Sequence, residues 1–172
     1  MSNDVEIDFN FPDFKQAGEK IRNALPGLIA AVLQTQRAMI FDDSGEYNGR
    51  SGWEPLKSRN GQPLKDRGTL SRSIGPANDG ITPGYATGSI VRLSDSIVTI
   101  GTNIAYAAVH DQGAVIYPKK PGGVLRFKIG NRWICTKKVT IPKRNFSDIM
   151  PLDIRELRDT IENFIVATIE NG

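Results

Sequence analysis

Apolar residues recur at Phe14, Ala17, Ile21, Ala24, Leu25, Leu28, Val32 and Met39, close to the spacing of one helix face. Asp13, with Gln16 three residues on, is a capping-box variant that would start such a helix. Pro26-Gly27 interrupts the pattern, because proline lacks a backbone N–H and clashes with the preceding turn. The pattern therefore predicts two helices, over residues 13–25 and 28–41. A cleaner stripe runs through Ile154, Leu157, Ile161, Phe164, Ile165 and Ile169, with Asp153 and Glu156 placed as a capping box and Asn171-Gly172 as a stop. This predicts a C-terminal helix over residues 153–170.

Between the helices the period changes to two. Residues 89–93 and 96–100 flank Ser94-Asp95, and residues 125–129 and 132–136 flank Gly130-Asn131, a pair suited to the positive φ angles of a tight hairpin turn. In the first strand of the second hairpin Leu125, Phe127 and Ile129 share one face, and Arg126 and Lys128 the other. Residues 42–88 are rich in Gly, Ser, Asn and Pro and predict a long, largely irregular connection, part of it mobile when the protein is alone, with one short helix over 69–74. The expected class is α+β: a central antiparallel sheet of two or more hairpins, packed by N-terminal and C-terminal helices, with a long irregular loop. At 172 residues the chain fits one domain over residues 1–172, since domains run to about 100–200 residues.

Net charge is only +3, but its distribution is uneven. Residues 1–20 hold five acids and two bases, and residues 148–172 six acids and two bases. Between Gln112 and Ser147 there are nine bases and no acid: Lys119, Lys120, Arg126, Lys128, Arg132, Lys137, Lys138, Lys143 and Arg144. Acidic ends and a basic middle can pair with each other or with a partner, or the bases can form a solvated strand face.

Candidate chemistry is sparse. His110 is the sole histidine, and with only Asp111 beside it no multi-histidine metal site can form. There is no G-x-S-x-G elbow and no glycine loop in a phosphate-cradling context, so neither catalysis nor a cofactor is expected. The lone Cys135, in mid-strand, reads as a small buried apolar residue. The acidic start is unlike a signal peptide, and the longest apolar stretch, residues 25–33, is too short and too interrupted to cross a membrane, so a soluble intracellular protein without membrane contact is expected. Phe127 and Trp133 lie among the bases, as in single-strand nucleic-acid binders, although Phe127 alternates with apolar neighbours and reads as core.

Four stretches carry a resemblance. They are Trp53-Glu54-Pro55-Leu56-Lys57; Gly68-Thr69-Leu70-Ser71-Arg72-Ser73-Ile74; residues 100–113, with Gly101, Asn103, Tyr106, His110 and Gly113; and residues 137–146, with Pro142 and Phe146. Their order and spacing resemble the phage virion-morphogenesis family, the tail-completion proteins of Mu-like and P2-like phages and prophages. Arg67 departs from that pattern where the family usually has Thr, as do the extra residue between His110 and Gln112 and the residues Lys143 and Asn145.

The resemblance implies a structural protein with no catalytic residues. It would complete or cap a tail, or join it to the head, as a ring. Its partners would be copies of itself and other tail or neck proteins. It would assemble in the host bacterial cytoplasm and end in the virion tail or neck. Within the motifs, Gly101-Thr102-Asn103 is expected to form a turn. Tyr106 and His110, four apart, would share a face of a short helix and anchor that turn to the sheet, and Leu70 and Ile74 would pack another short helix on the domain. Lys119, Lys120, Arg126, Lys128, Lys137, Lys138 and Arg144 are the candidate interface residues. DNA contact ranks lower, because a dense basic lining would hold a duplex rather than let it slide.

Overall fold

The computed structural model describes residues 14–56, 60–77, 83–94 and 97–171, so the capping pair at Asp13 lies outside the described residues. The first helix, α1, is continuous over Phe14–Asp42 with Pro26 inside it. The expected break into two helices does not occur. An interior proline costs about 3 kcal/mol, but the second half of α1 is enclosed by the fold: Ala30, Ala31, Leu33, Gln34, Gln36, Arg37, Ile40 and Phe41 are all buried. Tertiary burial outweighs the lost backbone bond.

Continuity also overturns the length argument about membranes, since α1 is by length and composition long and apolar enough to cross one. Its buried polar side chains nevertheless have partners inside the protein. Gln34 grips the backbone of Gly84, donating to its carbonyl at 3.0 Å and accepting from its N–H at 2.7 Å. Gln36 donates to the Asp153 carbonyl at 2.9 Å.

The second helix, α2 over Thr69–Ile74, forms as the pattern predicts. The other described residues of 42–88 are irregular apart from one tight turn at Tyr47–Gly49, but they are tied to the helices: the Trp53 N–H donates to the Ser44 carbonyl at 2.7 Å. Gly84 fits where no other residue would, because a Cβ there would stand 2.3 Å from the Gly75 carbonyl.

Strands β1 (Ser89–Leu93) and β2 (Val98–Thr102) form the first hairpin, with Ser89 opposite Thr102 and Leu93 opposite Val98. Gly101 is therefore a paired strand residue facing Ile90, not part of a turn. Pairing with β1 holds the chain extended through Thr102, and the positive φ lies across the ribbon at Gly88 (91°), whose carbonyl accepts the Asn103 N–H at 2.9 Å. A third helix, α3, covers Ala107–Gln112.

Next come β3 (Ala114–Ile116), β4 (Leu125–Ile129), β5 (Arg132–Thr136) and β6 (Val139–Ile141). The predicted hairpin β4–β5 closes over Gly130, at φ 57°. Outside it β3 pairs with β6, a ribbon the alternation did not reveal. Strand pairs β1–β2, β3–β6 and β4–β5 stay separate two-stranded ribbons, so the α+β class stands with its strands in three ribbons.

The last helix, α4 (Pro151–Glu170), lies along α1. Met150 is its N-cap, which puts Asp153 at the third helical position instead of at the cap. The apolar stripe of α4 is only half covered, and Asp153 is its one buried residue. Residues 113–143 contain no buried residue at all and form one arm, with β3–β6 at its base and β4–β5 at its tip.

Since Pro26 lies in a helix interior, Pro26→Ala is expected to raise stability by about 1–3 kcal/mol, read as an increased urea midpoint with an unchanged m-value.

Candidate functional site

The residues of the four motifs meet around Phe41. Trp53 packs edge-on against the Phe41 ring with centroids 5.4 Å apart, and Phe146 lies against the same ring at 5.3 Å. Leu70, Ile74, Ala107 and Phe146 join Ile40 and Phe41 in one buried cluster, with Trp53, Leu64 and Ile104 packed on it. Aromatic contacts of this kind add about 0.5–1.5 kcal/mol beyond the area they bury. The indole N–H of Trp53 also donates to the Asn145 carbonyl at 3.3 Å, so the first motif is bonded to the fourth.

Two polar residues hold the segments in register. Asp111, 5% exposed, accepts the backbone N–H of Phe146 at 2.9 Å, that of Ser147 at 3.1 Å and the Ser147 hydroxyl at 2.7 Å. The sequence placed Asp111 only beside His110, since an acid at the end of a short helix looks solvated until its donors are known. Arg144 was expected at an interface. It is instead 6% exposed, and its guanidinium donates to the Glu54 carbonyl at 3.3 Å. Packing between residues 54 and 110 places it inside the fold, so it is not an exposed contact.

His110 is fixed by its backbone: its N–H donates to Tyr106 at 3.2 Å and its carbonyl accepts from Arg144 at 2.8 Å. Tyr106 packs edge-on against the imidazole at 5.9 Å. Burial, followed by the Arg144 charge, lowers the His110 pKa, so the ring is neutral at pH 7. Leu56, Tyr106, His110 and Arg144 line a cavity of about 390 Å³. Among the described residues no group of three His, Cys, Asp or Glu side chains could hold a metal ion.

Asp153 is the electrostatic centre. Arg50 holds both its carboxylate oxygens, one at 3.1 Å through Nη1 and the other through Nη2. Asn48 donates at 2.8 Å and the Met150 N–H at 2.9 Å, while Arg37 lies at 3.6 Å as an ion pair. Burial pushes this carboxyl up, but the hydrogen bonds from Arg50, Met150 and Asn48 and the Arg50 charge together outweigh it and lower the pKa to about 2.

Six of the candidate interface bases, Lys119, Lys120, Arg126, Lys128, Lys137 and Lys138, are exposed along the arm. The Arg126 guanidinium stacks over Trp133, 4.7 Å from the ring centroid, and Trp133 is 60% exposed. Cys135, expected to be buried, is exposed, and Phe127, expected in the core, is only half-buried on the ribbon. A lone two-stranded ribbon has no second layer to cover its faces.

The described residues thus form a small α+β core walled by four motif segments, with a basic arm outside it. Residues 14–165 match the model of the phage virion morphogenesis family, and the chain belongs to that family. It is similar to Mu-like prophage FluMu G protein 2 of Haemophilus influenzae (strain ATCC 51907 / DSM 11121 / KW20 / Rd), at 28% identity over 173 residues, covering 96% of this chain and 99% of that protein. No solved structure matches. A structural role in phage virion morphogenesis follows from the family and this relative.

Removing the Asp153 charge leaves Arg37 and Arg50 buried without their counter-ion, so Asp153→Asn should cost about 3–5 kcal/mol in chemical denaturation. Because the folded pKa is lowered, Asp153 contributes its stabilisation fully above its unfolded pKa and loses it as pH falls toward about 2. Stability measured from pH 5 downward should therefore fall between about pH 4 and 2, more steeply in the native protein than in the Asn variant. Gly113, at φ 74° and ψ 162°, occupies a region open essentially to glycine alone, and a Cβ there would stand 2.9 Å from the Lys143 nitrogen. Gly113→Ala should cost about 1–3 kcal/mol or more, seen as a lower melting temperature.

Proposed function

We propose that this protein is a non-catalytic tail-completion protein of a Mu-like phage or prophage, which caps the tail or joins it to the head as a ring of identical subunits. The observation that carries the reading is the division of the molecule into two parts. The recognisable family segments are spent on a buried core, while a basic arm without a single buried residue is left free to contact something else. A ring needs two unlike patches that meet on successive subunits, and the basic arm and the acidic ends of the chain are such a pair. Other tail or neck proteins are the further partners, met in the host cytoplasm during assembly. No cofactor takes part.

The test is deletion of the gene in an inducible phage or prophage that carries it. Full heads without attached tails, or tails of abnormal length, are expected by electron microscopy, with restoration from a plasmid copy. Normal, infectious virions from the deletion strain would end the reading.

A second reading rests on the exposed Arg126–Trp133 stack among the arm's bases, which suits a nucleic-acid contact. Purified protein that bound duplex or single-stranded DNA tightly, with affinity falling steeply as salt is raised, would favour it.

A further inference from the structure

The tip of the arm has an apolar face on one side of β4. Leu125 and Phe127 are half-buried, Ile129 is exposed, and Arg126 and Lys128 stand on the opposite face of the same strand. Strand β4 pairs only with β5, so its outer edge has no strand neighbour among the described residues. An open strand edge is a template for a further strand, which gains main-chain hydrogen bonds there and is selected by its alternate side chains. The strand that would suit this edge alternates apolar residues with acids.

The chain contains that pattern at residues 4–11, Asp4-Val5-Glu6-Ile7-Asp8-Phe9-Asn10-Phe11, where Val5, Ile7, Phe9 and Phe11 alternate with Asp4, Glu6, Asp8 and Asn10, as a half-covered strand would require. These residues precede those described, so the alternation is a property of the sequence. We propose that residues 4–11 of one subunit add as an edge strand to β4 in the arm of a second copy. The added strand sets Glu6 and Asp8 beside Arg126 and Lys128, and Val5, Ile7 and Phe9 beside Leu125, Phe127 and Ile129.

The geometry favours a neighbour's arm over the chain's own. Only Pro12 and Asp13 separate the segment from α1, a link spanning at most about 10 Å. Helix α1 has 29 residues, about 43 Å of length, and the arm is rooted at its other end, where Phe146 and Ala107 pack with Ile40 and Phe41. A segment at one end of α1 and an acceptor rooted at the other make an unlike pair of patches, as head-to-tail assembly requires. The inference rests on the proposed self-assembly and names the contact that drives it.

The test uses the full chain, with mass measured by sedimentation velocity over a range of concentrations and salt. Glu6→Lys with Asp8→Lys, and separately Arg126→Glu with Lys128→Glu, should each weaken the oligomer at least ten-fold. Mixing the two variant proteins should restore association, because each then supplies the charge the other lacks. A four-fold variant carrying all these changes should associate as the unaltered protein does. Unchanged association in either double variant, while the unaltered protein assembles, overturns the contact and leaves the ring reading standing. Restoration in the four-fold variant but not in the mixture places the strand on its own arm and overturns the second copy. Loss of DNA retention by Arg126→Glu with Lys128→Glu, at unchanged mass, assigns the arm to nucleic acid instead. An unaltered protein that stays monomeric at every concentration also overturns the contact, and the gene-deletion experiment then decides the ring reading by itself.

Discussion

Burial of the Asp153 carboxylate is the constraint on which the rest of the structure depends. Its partners come from the C-terminal part of α1 (Arg37), the turn after it (Asn48 and Arg50) and the start of α4 (Met150). A carboxylate cannot leave water unless such donors surround it, so the three segments must meet in one arrangement. The neighbouring Gln36 and Tyr47 extend the same junction to Glu156, at 3.1 and 2.7 Å. A buried ion pair is weak evidence of net stability; this one bonds both long helices and the turn after α1 to a single carboxylate.

The family motifs do their work inside that frame. Trp53, Leu70, Ile74 and Phe146 are far apart in the chain and pack in one cluster, while Asp111 and Arg144 bond the third motif to the fourth and the fourth to the first. The motifs therefore mark the walls of a core, and the ring of His110 packs edge-on against Tyr106.

The arm obeys the opposite logic. Its strands leave open edges, and exposed lysine and arginine on such edges oppose indiscriminate pairing with other chains. In the contact proposed above the same charges would admit a strand of opposite sign.

How much of this was legible in the sequence depended on whether the deciding contacts were local. Helix α2, the β4–β5 hairpin and the α+β class follow from periodicity and turn residues, because their hydrogen bonds join near neighbours in the chain. The continuous α1 was not legible: Pro26 is a local break signal, and its loss of one backbone bond is outweighed by burial against α2, the β1–β2 ribbon and α4, elements far along the chain. For the same reason Arg144 could not be told from its exposed basic neighbours, nor Asp153 from a solvated cap residue, until their partners were in place. The sequence by itself determined the elements and the family. Only the tertiary structure decided which charges are buried and which reach solvent, because the solvation of a charged group depends on everything folded around it.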